Sequence, residues 1–228
     1  MATASLAPWE RELGPSTSVL HNGDHLSAAE FLRRYESMAE VKKAELVQNL
    51  VYMASPVSVH HAEPDSILQL MLASYAIATH GVRSATNQTV RLGPDDVIQP
   101  DGLLRIDPEY GGASHLDDKG YIFGAPELVA EIAVSSVSID VREKRHSCRR
   151  AGVAEYLVWR SLDRAIDWWV LEDDEYRLLE PDASGAISSR IFPGLRLDIP
   201  ALLAADGAAA MAVLQNAVAE RRHAFVRR

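Results

Sequence analysis

The sequence predicts an α/β domain, and three observations carry that expectation. Segments with helical period alternate with short runs rich in β-branched residues and bounded by Gly, Pro or Asp. No internal repeat or linker divides the chain. With 228 residues, 47% of them hydrophobic, one sizeable core can be buried, so a single domain over residues 26–228 is expected after an irregular arm over residues 1–25.

The elements follow in order. Through Asn22 the chain is rich in Pro, Ser, Thr and Gly without a period, which reads as an arm. Ser27 with Glu30 three residues on is a capping box for a helix through Phe31, Leu32, Tyr35 and Met38. Ala44–Val47 and Leu50–Met53 flank Gln48-Asn49, and Asn tolerates the positive φ of a two-residue hairpin turn. Ile67, Leu68, Leu70, Met71, Leu72, Tyr75 and Ile77 predict a buried helix ending near Gly81. Strands are expected over Val82–Leu92, Val97–Ile106, Glu127–Val134, Glu155–Arg160 and Ala165–Leu171. A helix opened by Asp140 as N-cap, with Glu143 three residues later, ends near Gly152. A later hairpin is expected from Tyr176–Leu179 and Ile187–Phe192, and Ala208–Val226 reads as an Ala-rich closing helix. Trp168 and Trp169 point to opposite faces of their strand, one toward the core and the other toward an edge or a partner.

Composition narrows the setting. One cysteine, Cys148, excludes an intramolecular disulfide and fits a reducing compartment. No run is long and apolar enough to span a bilayer, and Met1-Ala2-Thr3-Ala4-Ser5 lacks a basic region followed by an apolar one, so a soluble, cytoplasmic protein is expected. A net charge of −9 argues against a broadly basic nucleic-acid surface. Val141–Arg150 nevertheless holds five Lys or Arg and one Glu, which suggests a local phosphate-binding edge.

Two acidic residues stand out because apolar runs surround them. Asp101 follows Val97-Ile98-Gln99-Pro100, and Glu131 sits inside Leu128-Val129-Ala130-Glu131-Ile132-Ala133-Val134. A buried carboxylate costs several kcal/mol, roughly, unless a cation or hydrogen-bond donors compensate it. Neighbouring strands lie about 4.8 Å apart, so two carboxylates at one level on one face can grip one ion. Oxygen donors without cysteine or clustered histidine favour Mg²⁺ or Mn²⁺ over structural zinc. Such an ion acidifies a bound water and clamps a phosphoryl oxygen. The plainer alternatives are a Pro-Asp-Gly turn for Asp101 and a buried ion pair for Glu131.

Pro100-Asp101, Glu131-x-Ala133, Asp140-x-x-x-Lys144 and Ala151-Gly152-Val153-x-Glu155-Tyr156-Leu157-Val158 together resemble the Uma-two family, a bacterial branch of the PD-(D/E)XK nuclease superfamily related to restriction endonucleases. Ala44-Glu45-Leu46-Val47, Met53-x-Ser55-Pro56 and His61 are similar to its entry hairpin and following helix, and the likeness runs from about Leu26 to Leu203. The resemblance implies a restriction-endonuclease-like core, a mixed β-sheet flanked by α-helices, with a divalent metal held by Asp101 and Glu131. The superfamily Lys two positions after the Glu is replaced by Ala133, and Lys144 on the next helix occupies the place of the family's substitute. From there its ammonium would stabilise developing negative charge. Glu45 falls where an additional acidic ligand is placed, and His61 where a phosphate or a metal-bound water is contacted. The chain departs from the family in its hairpin turn, where Gln48-Asn49 replaces Asp-Gly.

The expected activity is Mg²⁺- or Mn²⁺-dependent hydrolysis of DNA phosphodiesters by Asp101, Glu131, Lys144, Glu45 and His61, with a homodimer needed to cut both strands. The alternatives are a nuclease-fold binding or assembly protein without hydrolysis, favoured by the acidic total and Ala133, and a phosphoesterase acting on RNA or nucleotides.

Overall fold

A computed structural model describes residues 19–134 and 139–226, so the first eighteen residues of the expected arm lie outside the described residues. Helix α1 (Ala28–Glu36) begins where the capping box places it, the Glu30 backbone N–H donating to Ser27 Oγ at 3.3 Å. Strands β1 (Ala44–Val47) and β2 (Leu50–Met53) form the hairpin. Gln48 and Asn49 have φ of 51° and 65°, the left-handed pair of a type I′ turn. The Asn49 side-chain amide donates to the Leu26 carbonyl at 2.9 Å and to Asp95 at 3.1 Å, so this turn is also a tether.

Helix α2 spans Val59–Ala78 and thus starts well before Ile67. It buries Leu68, Met71, Leu72 and Tyr75, but Leu70 and Ile77 face solvent, because an apolar run longer than one helical stripe cannot all face the core.

The strands are β3 (Val82–Thr86), β4 (Val90–Arg91), β5 (Val97–Ile98), β6 (Gly102–Ile106), β7 (His115–Leu116), β8 (Ile122–Phe123), β9 (Leu128–Ala133), β10 (Glu155–Arg160), β11 (Ala165–Glu172), β12 (Glu175–Leu178), β13 (Ala186–Ser188) and β14 (Arg196–Asp198). The later helices are α3 (Arg145–Ala151), α4 (Ile199–Leu203) and α5 (Gly207–Val226). One six-stranded sheet has the order β12-β11-β10-β9-β6-β3 and is parallel only at β9–β10. A second has the order β2-β1-β5-β4-β8-β7 and is parallel only at β4–β8. Both sheets are mixed and flanked by helices, as the fold class required. No described helix is long and apolar enough to cross a membrane.

The expected strands Val82–Leu92 and Val97–Ile106 each break in two, and the halves lie in different sheets. The first breaks around Asn87, whose φ is 49°. The second breaks at Gln99-Pro100-Asp101, where proline has no N–H for a ladder. Val90 on one side of the first break, and Val97, Ile98, Leu103 and Leu104 on either side of the second, are all buried, so each pair of halves reads as one strand.

The first sheet described is covered on both faces. Leu128, Ala130 and Ile132 pack with Trp168 and the buried side of α2, whereas Val129, Ala133 and Trp169 pack with Cys148 and Tyr156 on the other side. Both tryptophans are therefore core residues, each in a different apolar cluster, and neither covers an edge or a partner surface. The later hairpin also differs from expectation: β12 pairs with β11, and β13 pairs with β14, so the two predicted strands are not partners. Asp140 is not an N-cap but lies inside a π-helical turn, Ile139–Lys144, that leads into α3.

Candidate active site

The sheet crossing at Gln99-Pro100-Asp101 creates the site. β6 pairs with β9 so that Gly102 faces Ala130, and the next position in the same register sets Asp101 beside Glu131. The backbone N–H of Asp101 points at Glu131 Oε2 at 3.5 Å, while the N–H of Ile132 donates to Asp101 Oδ2 at 2.9 Å. Each carboxylate thus takes a donor from the other's segment. Gln69 Nε2 on α2 donates to the Asp101 carbonyl at 2.7 Å. A Cβ at position 102 would lie 2.9 Å from that same nitrogen, so Gly102 permits the close approach of helix and strand.

β1 supplies Glu45, which is buried rather than on an exposed strand face. Its Oε1 accepts the backbone N–H of Gln99 at 2.7 Å, fixing the crossing from the hairpin side. The π-helical turn supplies Lys144. Its Nζ lies 2.9 Å from Glu45 Oε2, 3.1 Å from Glu131 Oε1 and 3.1 Å from Asp140 Oδ1. Burial would push the Lys144 pKa down, but the carboxylates of Glu131, Glu45 and Asp140 hold it well above the ordinary lysine value. Burial also drives the Glu131 carboxyl well above its ordinary range; Lys144 opposes this, and Asp101, Asp140 and Glu45 add to it. Ala133 faces the same side as Glu131 but is packed among Cys148, Val158 and Tyr156, so position 133 brings no ammonium to Glu131 and the turn supplies one in Lys144.

Lys43, just before β1, was not among the expected site residues. Its Nζ is 2.8 Å from Asp101 Oδ1. The signal for it was Lys43-x-Glu45, because strand alternation puts residues two apart on one face. His61, in the first turn of α2, completes the set with Nε2 3.1 Å from Asp101 Oδ2. Burial opposes ionisation of Asp101, yet the bond from His61, the Lys43 ammonium and the Ile132 N–H hold its pKa well below the ordinary carboxylate range. All five expected residues, Asp101, Glu131, Lys144, Glu45 and His61, line one cavity of about 590 Å³ together with Lys43 and Asp140.

The donor chemistry fits a hard divalent cation. Glu45, Asp101, Glu131 and Asp140 face only Lys43 and Lys144, an excess of two negative charges if all ionise, while His61 and Asp65 at the rim add one charge of each sign. His61 Nδ1 is buried without a hydrogen-bond partner among the described residues, a further polar atom turned inward. Among the described residues no group of three or more His, Cys, Asp or Glu side chains is arranged to hold a metal ion as it stands, the Lys144 ammonium lying among Glu45, Glu131 and Asp140.

The basic segment offers less than its sequence suggested. Arg149 pairs with Glu175 at 3.0 Å, Arg150 pairs with Asp96, and the Arg145 guanidinium lies 4.7 Å from the centre of the Trp169 ring. Three arginines of the expected phosphate-binding edge are thus engaged within the fold, and Arg142 and His146 are exposed.

The His61 pKa is raised, first by its bond to Asp101. A histidine raised in the folded state contributes stability that is complete below its unfolded pKa, about 6.5, and is lost as pH rises through the folded value. In metal-free protein, NMR titration should therefore find His61 with a higher pKa than in Asp101→Asn, whose neutral amide removes that anion. Equal titration in the two proteins would contradict the pairing.

A crystal structure from Anabaena variabilis ATCC 29413, entitled a "putative nuclease belonging to DUF820", superposes with a TM-score of 0.63 at 18% identity, over 79% of this chain and 98% of that one. At that identity the likeness is one of fold. No curated protein matches. The model of the family described as "Uma2: Putative restriction endonuclease" matches residues 28–200, from α1 to the start of α4, and so takes in every residue of the cavity site from Lys43 to Lys144. The chain belongs to the Uma2 family.

Proposed function

We propose that this protein is a metal-dependent endonuclease hydrolysing DNA phosphodiester bonds. The observation that carries the reading is the convergence of Asp101 and Glu131 where the chain crosses between sheets, in a cavity lined by more carboxylates than ammonium groups. Asp101 and Glu131 would hold the ion, with Glu45 extending its shell. When bound, such an ion acidifies water and neutralises a phosphoryl oxygen.

The chain's own groups arrange that chemistry. Glu45 fixes the Gln99 amide and thereby the Asp101 backbone. Lys144 holds Glu45, Glu131 and Asp140 around one ammonium and favours the ionised form of Glu131. His61 orients Asp101 Oδ2 and keeps it a hydrogen-bond acceptor. The restriction-endonuclease description of the family supports DNA as substrate, and a homodimer would give each strand its own site.

The test is plasmid cleavage with Mg²⁺ or Mn²⁺ beside a chelator control and Glu131→Gln. Cutting by wild type that vanishes with the chelator and with Glu131→Gln is the expected result. Absence of cutting on supercoiled, linear and single-stranded DNA at low salt would favour a binding or assembly role. Cutting of RNA or a small phosphodiester but not DNA would move the reading to a phosphoesterase.

A further inference from the structure

We infer that Lys43, and not Lys144, is the residue whose ammonium contacts the scissile phosphate. The inference rests on the nuclease reading and names the cation that reading leaves unassigned. The two lysines approach the same carboxylates from opposite sides, but their surroundings differ.

Lys144 has three carboxylate oxygens within 3.1 Å of Nζ, as many partners as an ammonium has protons. Its side chain is 4% exposed. To reach a phosphate it would have to leave a buried carboxylate uncompensated in the low-dielectric interior. Nothing in that arrangement favours the exchange.

Lys43 is placed differently. Its side chain is 26% exposed and lines the cavity, and among the described residues its one ion pair is with Asp101. Two of its three protons therefore remain to be directed into the cavity. Its backbone is fixed at the head of the hairpin, where its carbonyl accepts the Ala54 N–H at 3.2 Å, so the side chain departs from a rigid strand end. The contact with Asp101 gives it the right position: a phosphate oxygen approaching an ion that Asp101 would help to hold would arrive near the same ammonium. In metal-free protein Lys43 thus neutralises Asp101, and in the loaded site it turns one proton toward the phosphate, where a preorganised positive charge stabilises developing negative charge.

The inference is tested with Lys43→Ala and Lys43→Arg in the full chain, by three measurements. Mn²⁺ binding is followed by calorimetry, binding of a labelled DNA oligonucleotide in Ca²⁺ by fluorescence anisotropy across a salt series, and plasmid cleavage in Mg²⁺ by gel. For Lys43→Ala we expect Mn²⁺ affinity equal to or tighter than wild type, since a competing cation is gone. DNA affinity should fall, with the salt slope smaller by about 1, and cleavage should slow about 100-fold. Lys43→Arg should recover part of both. Weaker Mn²⁺ binding with unchanged DNA affinity would overturn the inference and make Lys43 a support for Asp101. Wild-type cleavage by Lys43→Ala would overturn it as well while leaving the nuclease reading intact. A wild type that neither binds Mn²⁺ nor cuts would remove the nuclease reading, and this inference with it.

Discussion

Replacing Lys144 with methionine should destabilise the protein by about 3–5 kcal/mol, because it leaves buried carboxylates without their common cation. Methionine keeps the length of the stem, so the cost is mainly electrostatic. Glu131 is 2% exposed at its side chain and Asp140 4%, and water has little access to replace the ammonium. The loss should depend on pH with a definite sign. A carboxyl whose folded pKa is raised favours folding most below its unfolded pKa, about 4.3 for Glu, and becomes a growing liability as pH rises toward the folded value. Glu131 is already raised, and removal of Lys144 raises it further. The deficit of Lys144→Met should therefore shrink in acid and widen toward neutrality, as read by urea unfolding between about pH 4 and 8. Adding Glu131→Gln to Lys144→Met should recover part of the loss, since one buried charge is removed with the other. A deficit under about 1 kcal/mol at neutral pH would mean that the carboxylates are solvated and that Lys144 does not organise them.

The parts of this fold that were legible in the sequence are those set by local chemistry. The Ser27–Glu30 cap, the Gln48-Asn49 turn and the strand around Glu131 all follow from residues within one turn or one strand of each other. The sheet crossings were not legible, because apolar or β-branched residues flank the breaks at residues 87–89 and 99–101 on both sides, and only the presence of two sheets separates the halves. The same limit applied to Trp169, whose second apolar face exists because α3 and the β1–β2 sheet cover it. In the site, Asp101 and Glu131 were conspicuous because a carboxylate in an apolar run demands compensation. Lys43 was not conspicuous, since a lysine at the start of a strand looks like any solvated one until its partner Asp101, far along the chain, is brought beside it. Likewise the arginines of Val141–Arg150 read as a free basic edge, because Asp96 and Glu175 lie far from them in sequence.

Asp101→Asn should separate the structural and metal roles of the site, since its two consequences have different causes. Without metal, the substitution removes the anion that Lys43 and His61 share, and the neutral amide gains nothing from either. Asp101 has a folded pKa held well below its unfolded value, so its stabilisation is complete above the unfolded pKa, about 3.9, and disappears as pH falls through the folded one. Metal-free Asp101→Asn should therefore melt below wild type at neutral pH, and the gap should close in acid. With Mg²⁺ or Mn²⁺ at about 100 times its dissociation constant, wild type should gain about 2.7 kcal/mol, because an ion that binds only the folded state shifts unfolding by mass action. Asp101→Asn should gain none of this and should cut plasmid DNA about 10²–10³-fold more slowly, the scale on which one preorganised electrostatic group acts. The Ile132 N–H can still donate to the amide oxygen, so the crossing keeps its backbone position and a loss of metal response reports on the lost carboxylate charge and oxygen donor. Thermal melts of the two proteins with and without metal, at two pH values, read the stability effects, and plasmid cleavage reads the rate. An undiminished metal increment in Asp101→Asn would place the ion elsewhere in the protein and take Asp101 out of the metal shell.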